Sequence, residues 1–234
     1  MPPPEHFARR KARALALLRE LGAGRLDHPG GTLLAHLERV HARLGVWGAR
    51  PALRLAGLCH AFYGTDGFAT ALLPVGRRAE LAAVIGAEAE EIVYFYASCD
   101  RAASYPTLAA DVATDAPSDV PSDAPSDVPP DVPSDVPSGR SRGAGAADGE
   151  AVPSVAPAFR DRFTGHVHRP DRQSRRDFAE LTAANELDLA RIDPAFRAAH
   201  GPGLLALFTR VRGLLTEPAW QDCRAVLGEG ASAP

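Results

Sequence analysis

The stretch Thr32-Leu-Leu-Ala-His-Leu-Glu-Arg-Val-His-Ala-Arg-Leu-Gly-Val46 decides the fold class. Four apolar side chains recur in it at intervals of four, three and four residues, namely Leu33, Leu37, Val40 and Leu44. This spacing places them on one face of an α-helix. Thr32 can cap the start of that helix with its hydroxyl oxygen. We therefore predict an amphipathic helix over 32–46 whose apolar face packs against other helices.

Helical patterns continue on both sides of this stretch. They cover residues 5–21, 51–62, 77–97, 175–192, 203–215 and 218–227. The 77–97 pattern is interrupted at Gly86, which indicates two short helices. The 51–62 segment carries one charged residue, Arg54, so this helix is predicted to be the most buried. The only possible strands form a short hairpin within Phe159–His168. The sequence thus predicts an all-α fold.

One segment differs in composition from the rest of the 234 residues. Residues 111–138 contain seven Asp, seven Pro and no Lys, Arg or His, in a repeated Pro-Ser-Asp-Val unit. Proline at every fourth position forbids a helix, and the Asp and Ser side chains favour solvation. With the Gly- and Ala-rich residues that follow, this predicts a disordered Pro/Asp/Ser-rich insert over 109–156. One helical domain is then formed by residues 1–108 and 157–234.

The charge of the chain excludes some partners. The formal net charge is −3, but without the seven Asp of the insert the remainder has a net charge of +4. That small charge predicts no nucleic-acid partner. No apolar run is long enough to span a membrane. The three cysteines are widely spaced and form no CxxC motif, which is typical of free thiols in a cytoplasmic protein.

Three polar residues fall on the apolar faces of predicted helices. His36 shares a face with Leu37 and Val40 (by periodicity), His60 ends the most buried helix, and Asn185 is four residues from apolar residues on either side. A buried polar group without a partner costs about 1–3 kcal/mol. These side chains must therefore satisfy one another or hold a metal ion.

Three segments around these residues resemble the HD superfamily. They read His36-Leu-Glu-Arg-Val40, Leu55-Ala-Gly-Leu-Cys-His60-Ala61 and Leu181-Thr-Ala-Ala-Asn185-Glu-Leu-Asp188. The family pattern is a lone His, a His-Asp pair about two dozen residues later, and a late Asp. The resemblance implies a helical bundle over about 26–100 and 158–192. It also implies a metal-dependent phosphohydrolase or, in a smaller branch, a di-iron oxygenase.

The chain departs from this family at both carboxylates. Ala61 stands where the Asp of the His-Asp pair is expected, and Asn185 stands where the late Asp is expected. The usual ligand set of two His and two Asp therefore cannot be assumed. The string His60-Ala-Phe-Tyr-Gly-Thr65 is also similar to an uncharacterised branch that reads His-Ser-x-Tyr-Gly-Thr.

Several residues are candidates for an altered site. The metal candidates are His36 and His60 with one carboxylate, which could be Asp66, Asp188 or Asp100. The catalytic candidates are His28, as a ligand or an acid/base, and Asn185, which would hold water or substrate. The substrate-binding candidates are Tyr63, Thr65, Arg160 and Arg162. The cofactor would be a divalent ion of Fe, Mn or Zn, or none.

Each candidate also has a purely structural interpretation. His36 and His60 could form a hydrogen-bonded core pair, and His28 could brace the Gly30-Gly31 turn. Tyr63 and Thr65 could simply end a helix, and Arg160 and Arg162 could lie in a solvated loop. The adjacent Asp100 and Arg101 are interpreted as a surface ion pair.

Two classes of function remain open at this point. The first is a metal-dependent enzyme that acts on a small molecule, either phosphohydrolase-like with a phosphorylated or nucleotide-like substrate, or iron oxygenase-like. The alternative is a catalytically inactive HD-like module that binds a ligand or another protein.

Overall fold

The computed structural model of the chain describes residues 4–109 and 158–228, and these residues form nine α-helices and two short hairpins. The helices are α1 (Pro4–Glu20), α2 (Leu33–Val46), α3 (Pro51–Cys59), α4 (Arg78–Ile85), α5 (Ala87–Ala97), α6 (Arg101–Ser104), α7 (Arg172–Ile192), α8 (Pro194–Arg210) and α9 (Glu217–Gly228). The strands are β1 (Asp27–His28), β2 (Gly31–Thr32), β3 (Phe159–Arg160) and β4 (Val167–His168). The all-α prediction is confirmed.

The stretch that decides the fold forms α2 as expected. The side chain of Thr32 accepts a hydrogen bond from the Ala35 amide at 3.3 Å and caps the helix. The 77–97 pattern divides into α4 and α5 at Gly86, whose φ of +94° is in the region that favours glycine. The 51–62 pattern ends earlier than predicted, because α3 stops at Cys59 and the chain begins to turn at His60.

The prediction for 203–215 is wrong at its start. Asp193 caps a helix that already begins at Pro194 and continues through the Gly201-Pro202-Gly203 segment. A proline inside a helix removes one N–H donor and costs about 3 kcal/mol. Here α8 packs against both α7 and α9, and this packing offsets the cost. The helix ends at Arg210.

The four strands of the described residues form two hairpins. β3 pairs with β4 in the antiparallel hairpin predicted within Phe159–His168. The hairpin of β1 and β2 was not predicted, and it turns through Gly30, which has a φ of +76°. This turn carries His28 at its start.

Helix α7 lies at the centre of the bundle. It packs against α2, α3, α5, α8 and α9. Helix α2 also packs against α3, where Gly57 permits a close approach, since a Cβ atom there would overlap Leu44. The polar residues of α2, the end of α3 and the middle of α7 therefore face one common region.

The predicted insert over 109–156 lies outside the described residues, except for Ala109. The residues that flank this segment, Thr107 before it and Ala158 after it, are hydrogen-bonded to each other. The Thr107 hydroxyl donates to the Ala158 carbonyl at 2.9 Å, and the Ala158 amide donates back to the hydroxyl oxygen at 3.0 Å. Among the described helices, none has the length and apolar character needed to cross a membrane.

Candidate functional site

The structure brings His36, His60 and Asn185 together from three different elements. The His36 and His60 rings meet edge to face with centroids 5.3 Å apart. Asn185 Oδ1 lies 3.0 Å from His36 Nε2, and Asn185 Nδ2 donates to Glu186 at 3.2 Å. The inward faces predicted from the helical periodicity therefore converge. Together with His28, which comes from the β1–β2 hairpin, these three residues form what we call the histidine cluster: His28, His36, His60 and Asn185.

His36 is held in place by a buried carboxylate. Its Nδ1 lies 2.7 Å from Asp188 Oδ2, and since a carboxylate only accepts, this nitrogen carries a proton. Arg39 donates to both oxygens of Asp188 at 2.9–3.1 Å. Burial pushes the pKa of Asp188 up, but the hydrogen bonds from His36 and Arg39 outweigh it and lower the pKa. Asp188 therefore orients His36 and does not line the cavity described below.

His60 is almost completely buried and is neutral at pH 7. Its Nδ1 donates to the Gly57 carbonyl at 2.9 Å, which leaves a lone pair on Nε2. Burial lowers the pKa of His60 to about 3, and the neighbouring His36 lowers it further, against the hydrogen bond that the ring donates to the Gly57 carbonyl, which raises it. The ring packs edge to face on Tyr96 at 5.4 Å between centroids.

His28 approaches the cluster from the β1–β2 hairpin. Its ring stacks on His36 with centroids 4.1 Å apart and meets Phe68 edge to face. Its Nδ1 is buried and has no hydrogen-bond partner among the described residues. Burial, with a smaller contribution from His36, lowers the pKa of His28 to about 4. His28 thus presents a neutral ring to the cavity described below.

A cavity of about 240 Å³ lies beside the histidine cluster, and we call it the histidine pocket. Its polar wall consists of His28, His36, His60, Thr65, Arg101, Asn185 and Glu186. Its apolar wall includes Leu33, Phe68, Leu189 and Phe196. Such a mixture of apolar walls and a few convergent polar groups is typical of small-molecule sites.

Arg101 and Glu186 are the charged residues that sequence reasoning missed. The interpretation of Asp100 and Arg101 as a surface ion pair is wrong, because Arg101 donates to Glu186 at 3.2 Å inside the pocket. Asp100 instead caps α6 by accepting from the Ala103 amide. Burial lowers the pKa of Arg101, but the polar groups around it, among them the Glu186 carboxylate, outweigh burial and raise the pKa, so the guanidinium stays charged. The contact between distant helices left no signal in the sequence.

Two other candidates from the 60–66 segment lie away from the pocket. Tyr63 is buried and donates to Glu90 at 2.9 Å, and Glu90 is also bound by Arg78. Asp66 is exposed and accepts from the Arg101 amide at 3.1 Å, so it does not contact the histidine cluster. The structure therefore does not bring Tyr63, predicted to bind substrate, or Asp66, predicted to bind a metal, to the histidine cluster. Thr65, in contrast, lines the pocket.

The two arginines beside the insert do not reach the pocket either. Arg160 is exposed and lies 3.8 Å from Asp100. Arg162 donates to the Ala97 carbonyl at 2.7 Å and lies over the Phe163 ring. The structure therefore does not bring these two arginines, predicted to bind substrate, to the pocket.

The residues as arranged do not fit a metal ion. Within 4–109 and 158–228, no group of three or more His, Cys, Asp or Glu side chains is placed to hold one. The amide of Asn185 lies against His36, and both oxygens of Asp188 are already bound by Arg39. Without a free carboxylate, the charge of a divalent ion is left without compensation.

One comparison with known proteins gives a match, and this match includes the part of the site that precedes α7. Residues 17–101 match the family model described as Domain of unknown function (DUF6817). Neither the curated proteins nor the solved structures give a match to the chain. The matched range contains His28, His36, His60 and Arg101, and it ends before Asn185 and Glu186 of α7. The resemblance to the HD superfamily stays a prediction.

Proposed function

We propose that the chain binds a small anionic molecule in the histidine pocket and that its bundle is a divergent HD-like fold. The observation that carries the first part is the charged guanidinium of Arg101 in the pocket wall. The meeting of His36, His60 and Asn185 supports the second part. A phosphorylated molecule suits Arg101, because the guanidinium can donate two parallel hydrogen bonds to two oxygens of one phosphate.

Glu186 is the group with which such an anion competes. It lies in the same wall and accepts from Arg101. The neutral rings of His28 and His60 add no charge of their own. An incoming phosphate therefore has to share or replace the contact between Arg101 and Glu186, so changes at these two residues are expected to act in opposite directions.

Inorganic phosphate is the probe that tests this proposal, with calorimetric titration of the full chain. Arg101→Gln should weaken phosphate binding about tenfold or more, because a hydrogen bond to a charged group contributes about 1.5–3 kcal/mol. Glu186→Gln should tighten it, because the competing charge is removed while the amide oxygen still accepts. Arg160→Gln is the matched control, since this arginine is exposed outside the pocket. Equal affinity in Arg101→Gln and the unmodified chain would contradict the proposal.

A metal-dependent enzyme, hydrolase or oxygenase, is the second candidate. The observation in its favour is that His36 Nδ1 contacts a carboxylate and His60 Nδ1 a backbone carbonyl, as metal-ligating histidines do. It would require Asn185 to turn away from His36. Its test is the content of Fe, Mn and Zn in protein purified without a histidine tag. Absence of all three, also after reconstitution, rules this candidate out.

In the metal-dependent enzyme, His28 is the candidate for the acid/base. Its Nδ1 has no partner in the part of the chain that the structure describes, whereas His60 Nδ1 is bonded to Gly57. Asn185 would hold the ligand through its amide. We place the protein in the cytoplasm, and this is supported by its three cysteines, which are all free and buried.

A further inference from the structure

A second cavity adjoins the histidine pocket. It has a volume of about 390 Å³, and we call it the outer cavity. Arg101, Glu186 and Phe196 line both cavities. The two spaces therefore meet at the ion pair between Arg101 and Glu186, and a molecule bound to Arg101 could extend into each of them.

The wall of the outer cavity has mostly carbon surface. Besides the three shared residues it is formed by Tyr105, His200, Leu204 and two small residues of α8, Ala199 and Gly203. Gly203 lines the cavity and is exposed, and a Cβ atom added there would meet nothing within 4 Å, so a larger side chain has room at this edge of the cavity. An aromatic or aliphatic group placed there would be removed from water against Phe196 and Leu204, which is favourable.

We propose that the natural ligand has two parts: an anionic group bound by Arg101 in the histidine pocket and an aromatic or branched aliphatic group in the outer cavity. This inference rests on the proposed function, because it takes Arg101 as the residue that binds the anion. It adds the apolar part of the ligand and the residues that select it.

A pair of probes measures the contribution of the outer cavity. Inorganic phosphate and phenyl phosphate share the anionic group and differ by the ring. Phenyl phosphate is expected to bind the full chain about tenfold more tightly in calorimetric titration, because the ring is partly buried in the outer cavity.

Gly203→Leu tests whether the ring lies in that cavity. The leucine side chain would occupy the open space, and it is favoured over glycine inside a helix, so the fold should be retained. This variant should bind phenyl phosphate no more tightly than inorganic phosphate, with the affinity for inorganic phosphate unchanged. Gly201→Ala is the control on the same helix, since its Cβ would make only an ordinary contact with Arg197 at 3.7 Å.

The outcomes separate the two proposals. Binding of inorganic phosphate without a gain from the phenyl ring overturns the two-part ligand and leaves Arg101 as the anion-binding residue. A gain that persists in Gly203→Leu has the same consequence. If neither probe binds, both proposals fail. A gain that is lost in Gly203→Leu and kept in Gly201→Ala supports the two-part ligand.

Discussion

The buried ring of His60 makes the stability of the fold depend on pH. Its pKa is about 3 in the folded chain, whereas an unperturbed histidine has a value of 6.5. Below pH 6.5 the unfolded chain takes up a proton at His60, and the folded chain does not until the pH approaches 3. Stability therefore falls as the pH falls through this window, and above 6.5 the contribution is constant.

The size of this effect follows from the shift. One pKa unit corresponds to about 1.4 kcal/mol, so lowering the pH from 7 to 5 should cost about 2 kcal/mol of unfolding free energy through His60 alone. Other groups, among them His28 with a pKa of about 4, act in the same window. Comparison with a variant that lacks the His60 ring removes their contributions.

Urea denaturation of the unmodified chain and of His60→Gln at pH 7 and pH 5 measures the difference. The loss between the two pH values should be smaller by about 2 kcal/mol in His60→Gln. His166→Gln, which changes an exposed ring, should lose as much as the unmodified chain. If His60→Gln does not fold, His28→Gln should show a reduction of the same sign and of similar size, because its folded pKa of about 4 also lies below pH 5. Equal losses in the His60 variant and the unmodified chain would refute the reasoning.

Three further predictions concern stability, of which the first two use the same urea denaturation assay and the third uses thermal denaturation. Asp188→Asn should cost about 3 kcal/mol, because it removes a buried charge bound by Arg39, and a change below 1 kcal/mol would show that the pair contributes little. Gly57→Ala should cost about 2 kcal/mol, since the added Cβ overlaps Leu44 at the α2–α3 contact, and an unchanged midpoint would argue against that close approach. Deletion of 111–138 should leave the melting temperature nearly unchanged, since loop-closure entropy varies slowly with length, and a drop of several degrees would show that the segment stabilises the fold.

The meeting of His36, His60 and Asn185 could be predicted because helical periodicity identifies inward faces. Each residue lies in register with apolar neighbours, and a compact bundle has only one interior for such faces to share. The hairpin of β3 and β4 was predicted from the same sequence. The exact helix ends were not, since the start of α8 at Pro194 depends on packing that overrides the Gly201-Pro202-Gly203 signal.

The pairing of Arg101 with Glu186 could not be read from the sequence. The two residues are 85 positions apart, and Arg101 stands next to an acidic residue, Asp100, that offers a simpler local partner. Adjacent side chains diverge at the start of a helix, and here Asp100 is used as the cap of α6. The chemistry of the pocket therefore depends on a tertiary contact, whereas its position depends on periodicity.

Two hydrogen bonds between Thr107 and Ala158 connect the segment that precedes residues 110–157 to the segment that follows them. The helical body is therefore assembled from two separate stretches of polypeptide that already meet at this point. Such a protein could be produced as two fragments, cut within 110–157, that reassociate into one bundle. His60 and Arg101 would then come from one fragment and Asn185 and Glu186 from the other, so that ligand binding would report fragment complementation.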